Sequence, residues 1–238
     1  NSGHVRIYEN IGGSWFQLGQ DIDGEAADDW SGKSVSMSND GNTVAIGAHM
    51  NDGNGSNSGH VRIYNWSGTS WIQIGNDIDG EASSDYSGQS VSLSSDGNTV
   101  AIGAYGNDGN GSEAGHVRVY NWSGSSWSQI GQDIDGEAAG DVSGYSVSLS
   151  SDGNTVAIGA RSNDQNGSNS GHVRIYNWNG SSWIQIGNDI DGEAADDKSG
   201  NSVSLSSDGN TVAIGARNNA GNGPDAGHVR IYGINTPC

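Results

Sequence analysis

The sequence predicts an all-β protein, a β-propeller of 56-residue four-stranded blades, on three observations. First, the hexad Gly-His-Val-Arg-(Ile/Val)-Tyr begins at Gly3, Gly59, Gly115, Gly171 and Gly227, always 56 residues apart and without an insertion. Each copy must therefore occupy an equivalent place in a repeating object. Second, the chain holds 40 glycines and two prolines among short apolar runs separated by Ser, Asn and Asp; this is the pattern of many strands joined by tight turns, and no window carries helical periodicity. Third, small residues mark the inner segments of each copy and tryptophan the outer ones, as radial blades require, whereas a β-helix would need a much shorter coil. A repeat running end to end leaves no seam, so residues 1–238 read as a single domain whose last copy is partial.

The elements of one copy follow in order. Residues 143–150 alternate apolar with small polar residues, the period-two signature of a half-buried first strand. Asp152-Gly153 then gives a hairpin turn, since both central positions must accept positive φ. The second strand, Thr155-Val156-Ala157-Ile158-Gly159-Ala160, carries Val and Ile on one face and Ala and Gly on the other, so something packs very close to the second face. A polar loop at 161–170 leads to the third strand, His172 to Tyr176, and a short turn at Asn179-Gly180-Ser181 leads to the fourth, Trp183 to Gly187. An acidic loop at 189–197 crosses to the next copy.

Ser143-Gly144-Tyr145-Ser146-Val147-Ser148 followed by Val156-Ala157-Ile158-Gly159-Ala160 resembles the FG-GAP repeat of integrin α-subunit propellers and related secreted proteins, and the likeness covers all four units. The Phe of that motif is Ser31, Ser87, Ser143 and Ser199 here, and the Pro after Gly-Ala is His49, Tyr105, Arg161 and Arg217. The resemblance implies an extracellular propeller and often a calcium loop between the first two strands. Here that connection has shrunk to Asp40-Gly41, Asp96-Gly97, Asp152-Gly153 and Asp208-Gly209, so the family's calcium position does not carry over.

Counted from the N-terminus, the chain has one strand more than four closed blades need. We expect four blades closed by pairing of the N- and C-terminal strands, with Trp15 to Gly19 completing the blade that holds residues 202–232. The strand His4 to Tyr8 is then surplus, available to another molecule's sheet edge.

Net charge is −19, and 18 of the 28 carboxylates fall in residues 21–29, 77–85, 133–141 and 189–197. Such a surface repels nucleic acid and anionic membrane and attracts cations or basic partners. No apolar run is long enough to span a bilayer. The spacing suits calcium, which takes several hard oxygens around a glycine turn. The expected ligands are Asp21, Asp23, Glu25 and Asp29; Asp77, Asp79, Glu81 and Asp85; Asp133, Asp135, Glu137 and Asp141; and Asp189, Asp191, Glu193 and Asp197. Asp52, Asp108 and Asp164 join them from the loop between the second and third strands, which should emerge on the same face. The alternative is that these carboxylates cap turns and pair with the third-strand arginines.

His60, Arg62 and Tyr64 and their copies read as structural, filling gaps between blades. Sequons stand at Asn54, Asn65, Asn110, Asn121, Asn166 and Asn179, all in expected loops or turns. The single cysteine, Cys238, is available for a link between chains. No nucleophile pair, histidine-rich triad or phosphate-cradling loop is present, and Lys33, His49, Met50 and Lys198 form no evident group. These features point to a non-enzymatic, secreted or surface-exposed structural or adhesion propeller, calcium-stabilised and glycosylated, that self-associates into a filament or array. The alternative is a multivalent carbohydrate-binding propeller stacking sugars on Trp71 and its copies. A third partner class is an extracellular protein ligand on the acidic face.

Overall fold

Each repeat folds because its local signals agree. The computed structural model describes residues 1–234; Cys238 lies outside the described residues. A complete blade runs outwards through four antiparallel strands, for example Ser87–Leu93, Thr99–Ala104, His116–Trp122 and Trp127–Gln129. Asp96 shapes the first turn: its Oδ1 accepts from Ser94 Oγ at 2.6 Å and from the Asn98 N–H at 3.0 Å. Gly97 adopts the φ of 72° that this turn requires.

Blades stack through their small faces. A Cβ on Gly47, Gly103 or Gly159 would lie 2.0 to 2.1 Å from the backbone oxygen of Gly88, Gly144 or Gly200 in the next blade. The hydroxyls of Ser34, Ser90 and Ser146 donate to those same oxygens at 2.8 Å. The serines of the alternating first strand therefore meet a neighbouring blade, not water. Val117 and Val119 of one blade pack against Val147, Leu149, Val156 and Ile158 of the next. At the outside, the indole N–H of Trp71, Trp127 and Trp183 donates to the carbonyl of Leu18, Ile74 and Ile130 in the preceding blade.

Three expectations need correction. The fourth strand is broken: after Gln129 the chain bulges at Gly131, with φ 76°, and pairing resumes when Ile134–Asp135 meets Val117 and His116. The opening of each acidic segment is therefore strand, at Ile22–Asp23, Ile78–Asp79, Ile134–Asp135 and Ile190–Asp191. The isoleucine explains it, because the core claims it; Ile22, Ile78 and Ile134 are buried.

The second correction concerns closure, since among the described residues no strand from the N-terminal end pairs with the last sheet. Tyr8–Ile11 pairs with Ser14–Gln17 and His4–Val5 with Ile22–Asp23, in the registers of Tyr64 with Gln73 and Val61 with Ile78. The N-terminal strand is thus not surplus but belongs to an outer half-blade, and 14–17 completes that half-blade rather than the last blade. At the other end Ser199–Leu205, Thr211–Ala216 and His228–Gly233 form a three-stranded sheet. Three complete blades, at 34–79, 87–135 and 143–191, lie between these partial ones in an open arc. A short hairpin costs far less loop-closure entropy than joining the two ends of the chain. The inner turns still converge as in a propeller: Met37, Leu93, Leu149 and Leu205 line one small cavity.

Third, Asn65 and Asn121 lie inside strands rather than turns. Their amides donate to Thr43 Oγ1 and Thr99 Oγ1 across the sheet.

Candidate functional site

The acidic segment and the loop between the second and third strands meet on one face, as the sequence suggests. Asn54 Nδ2 donates to the Gly80 carbonyl at 2.8 Å, and Asn110 and Asn166 repeat the contact on Gly136 and Gly192. These three sequon amides are consequently engaged within the fold. Asn179, at the turn between the third and fourth strands, uses its Oδ1 to accept from Ser181 and Ser182.

The carboxylates divide into classes by position. Asp29, Asp85, Asp141 and Asp197 are 3% exposed and clasp their own turn: each Oδ2 accepts a backbone N–H, from Ala26, Ala82, Ala138 and Ala194. Asp52, Asp108 and Asp164 likewise accept the N–H of Asn57, Glu113 and Asn169. Arg62 and Arg174 donate to the backbone carbonyls of Asp23 and Asp135. The side chain of Asp191 places an unpartnered Oδ1 in the interior, and burial pushes the Asp79 carboxyl up.

The first Asp and the Glu of successive segments converge instead on the third-strand histidine. Glu25, His60 and Asp77 form one such cluster, Glu81, His116 and Asp133 a second, and Glu137, His172 and Asp189 a third, with ligand atoms within 4.8 Å of one another. The Glu comes from the segment entering the blade, the Asp from the bulge of the blade's own fourth strand. His60, His116 and His172 are buried at 2%, 3% and 0% exposure. That burial is the main reason their imidazoles lie below the usual value, against the opposing pull of Asp77, Asp133 and Asp189. Burial first, and the charge of Asp189 among lesser causes, push the Glu137 carboxyl up.

At the ends the clusters are incomplete. Asp21 is taken by Arg6 and Gln17, which hold its carboxyl down at about 2, and His228 faces Glu193, which also pairs with Arg230 at 2.9 Å. The family's calcium position does not fit a cation here. Asp40 is its only carboxylate, and hydrogen bonds from Ser38 and Asn42 occupy it and hold its pKa down.

Several residues that break the repeat, His49 and Lys33 among them, do form a group. At the axial rim Trp30 meets His49 edge-on at 5.8 Å, Tyr86 stacks on Tyr105 at 4.9 Å, and the Arg161 guanidinium sits 3.6 Å from the Tyr145 ring centre. His49 bridges Trp30 and Tyr86, and its pKa is pushed down to about 4 by burial and then by the charge of Lys33. Positions 30, 86, 142 and 198 all take positive φ, as Trp, Tyr, Val and Lys. The signal was available: all Lys and Arg outside the third-strand arginines are at rim positions, as Lys33, Arg161, Lys198 and Arg217.

Equivalent four-stranded blades, an axial convergence and a site repeated with the blade define a propeller-type repeat protein. Residues 22–64, 78–120 and 134–176 each match the FG-GAP repeat, more than half of the chain. The chain belongs to the FG-GAP repeat family. No curated protein matches it. Among solved structures it is similar to Kuenenia stuttgartiensis hydrazine synthase, at 13% identity and a TM-score of 0.50, over 84% of this chain and 45% of that one. That likeness concerns the fold alone, and the chain spans less than half the length of that protein. FG-GAP propellers are generally non-enzymatic and typical of extracellular or surface proteins. No helix among the described residues is long and apolar enough to cross a membrane.

Proposed function

We propose that the chain is a non-enzymatic, extracellular interaction propeller of the structural or adhesion type that associates with further copies of itself, head to tail. One observation carries this: its two end faces expose apolar residues whose counterparts are buried between blades. Val229 and Ile231 on the last blade are 67% and 71% exposed, whereas Val61 and Ile63 at the same places are 0% and 1% exposed. Val35 and Met37 on the first complete blade are 54% and 41% exposed, whereas Val91 and Leu93 are 8% and 7% exposed. Internally, Ala45, Val61 and Ile63 pack on Val91, Leu93, Val100 and Ile102. Ala213, Val229 and Ile231 of one copy match the first set, and Val35 and Met37 of another match the Val91 and Leu93 part of the second; Val44 and Ile46 are already covered by Val5, Ile7 and Leu18 of their own chain. Such a heterologous contact propagates.

The acidic segments serve this array as cation sites that relieve carboxylate repulsion, with calcium the cation that FG-GAP repeats often take. Glycans attach at the exposed turn around Asn179. Light scattering over a concentration series tests the association: oligomers should form and should dissociate in Ile231→Glu. A monomer at every concentration and calcium level overturns it.

A further inference from the structure

We propose that each complete blade holds a nitrogen- and oxygen-ligated divalent transition-metal site, of the zinc class, formed by Glu25, His60 and Asp77, by Glu81, His116 and Asp133, and by Glu137, His172 and Asp189. The inference rests on the reading of the acidic face as cation-binding and deepens it, by changing the class of cation at these three points. Two observations beyond the acidic cluster point there. The Nδ1 atoms of His116 and His172 are buried without a hydrogen-bond partner. They are nevertheless aimed at carboxylates, His172 Nδ1 lying 3.8 Å from both Glu137 Oε2 and Asp189 Oδ2, and His116 Nδ1 3.7 Å from Asp133 Oδ2. His60 repeats this, at 3.9 Å from Glu25 Oε2 and 3.6 Å from Asp77 Oδ2.

These separations are too long for hydrogen bonds. They suit two ligands on one ion. Metal–nitrogen and metal–oxygen bonds of about 2.0 to 2.2 Å at a tetrahedral angle place the ligand atoms roughly 3.4 Å apart, a few tenths of an ångström from these five histidine–carboxylate separations. Calcium does not explain a buried imidazole nitrogen, because it takes oxygen; zinc and its neighbours accept imidazole readily.

The outer atoms of each carboxylate are already fixed, as they are around established metal sites. Gln73, Gln129 and Gln185 donate to Oδ1 of Asp77, Asp133 and Asp189 at 2.6 to 2.7 Å, leaving Oδ2 towards the histidine. Arg62, Arg118 and Arg174 approach Oε1 of Glu25, Glu81 and Glu137; in the first and third clusters Oε2 is turned to the histidine. Three protein ligands leave a position for water. Access is open, since Glu137, Asp189, Asp191, Gln165 and Gln185 line a solvent cleft at the third cluster.

The test is calorimetric titration of the untagged chain, in a Cys238→Ser background, with zinc chloride and separately with calcium chloride, followed by the visible spectrum of the cobalt(II)-loaded protein. We expect three zinc equivalents, falling to two in His172→Asn and to none in His60→Asn/His116→Asn/His172→Asn. Loss of the cobalt d–d bands should accompany loss of each site. Should the buried histidine variants fail to fold, Asp77→Asn/Asp133→Asn/Asp189→Asn reports on the same sites from their exposed side and should lower zinc affinity at least tenfold. Zinc binding unchanged in all these variants overturns the proposal. Calcium binding without zinc binding overturns it and leaves the calcium reading standing, while binding of neither cation overturns both.

Discussion

The outer parts of the blades and the axial rim follow different rules within one chain. Outside the rim, the blades repeat nearly residue for residue: Trp71, Trp127 and Trp183 each reach back to the preceding blade, and Gly47, Gly103 and Gly159 each lie against a neighbouring carbonyl. At the rim the same backbone carries Trp30, Tyr86, Val142 and Lys198 in one position and His49, Tyr105, Arg161 and Arg217 in another. Where a side chain must fit between two blades, geometry leaves one solution. Where it faces the mouth of the arc, many solutions fold, and the sequence is free to be chosen for what it touches. The rim is where this chain departs from its own repeat.

That contrast can be broken by substitutions, the largest effect first. Trp71→Ala removes a buried indole and the donor to Leu18 and should cost about 3–5 kcal/mol, read as a fall in the midpoint of denaturant unfolding. Gly103→Ala drives a methyl into the Gly144 carbonyl and should cost about 3 kcal/mol, or prevent folding. A wild-type unfolding midpoint in either variant would deny that blade packing fixes these residues.

The rim should respond differently. His49 has a folded pKa near 4, below its ordinary 6.5, so protons bind the unfolded chain preferentially between these values. Stability should be full above pH 6.5 and decline as pH falls towards 4. The His49→Gln variant should show a shallower decline in thermal melts across that window. Val142 is β-branched at φ 52°, a strained combination, so Val142→Asn should raise stability by about 1 kcal/mol in chemical denaturation. Lys198→Ser, the mildest change, should move it by less than about 0.5 kcal/mol. A large loss in that variant would mean the rim is as constrained as the blade interfaces.

Much of the fold was legible because its signals are local. The Asp-Gly turns, the alternating serines and the small face of Thr155–Ala160 each act through neighbours in sequence or through a blade one repeat away. The missed features depend on distance relations that periodicity does not encode. Closure depends on the angle between blades, which no single repeat specifies. The strand at Ile134–Asp135 was hidden by the carboxylates around it, although its isoleucine was the clue. The site was half legible: acidic residues announced it, but the same repetition that made His116 read as structural concealed its unpartnered Nδ1. The rim as a contact group is not legible in sequence, because only the fold links Lys33 to His49 and, through Tyr86 and Tyr105, to Tyr145.

The contacts between blades have a uniform stride. Ser34 to Gly88, Ser90 to Gly144 and Ser146 to Gly200 each span 54 positions, and Leu93 to Ser36, Leu149 to Ser92 and Leu205 to Ser148 each span 57. Excising one whole period anywhere inside the chain rejoins partners that are chemically the same, whereas a cut of any other size leaves every later blade out of step. Recombination between the duplicated segments can therefore lengthen or shorten this protein in whole blades, with reach along the arc as the heritable variable.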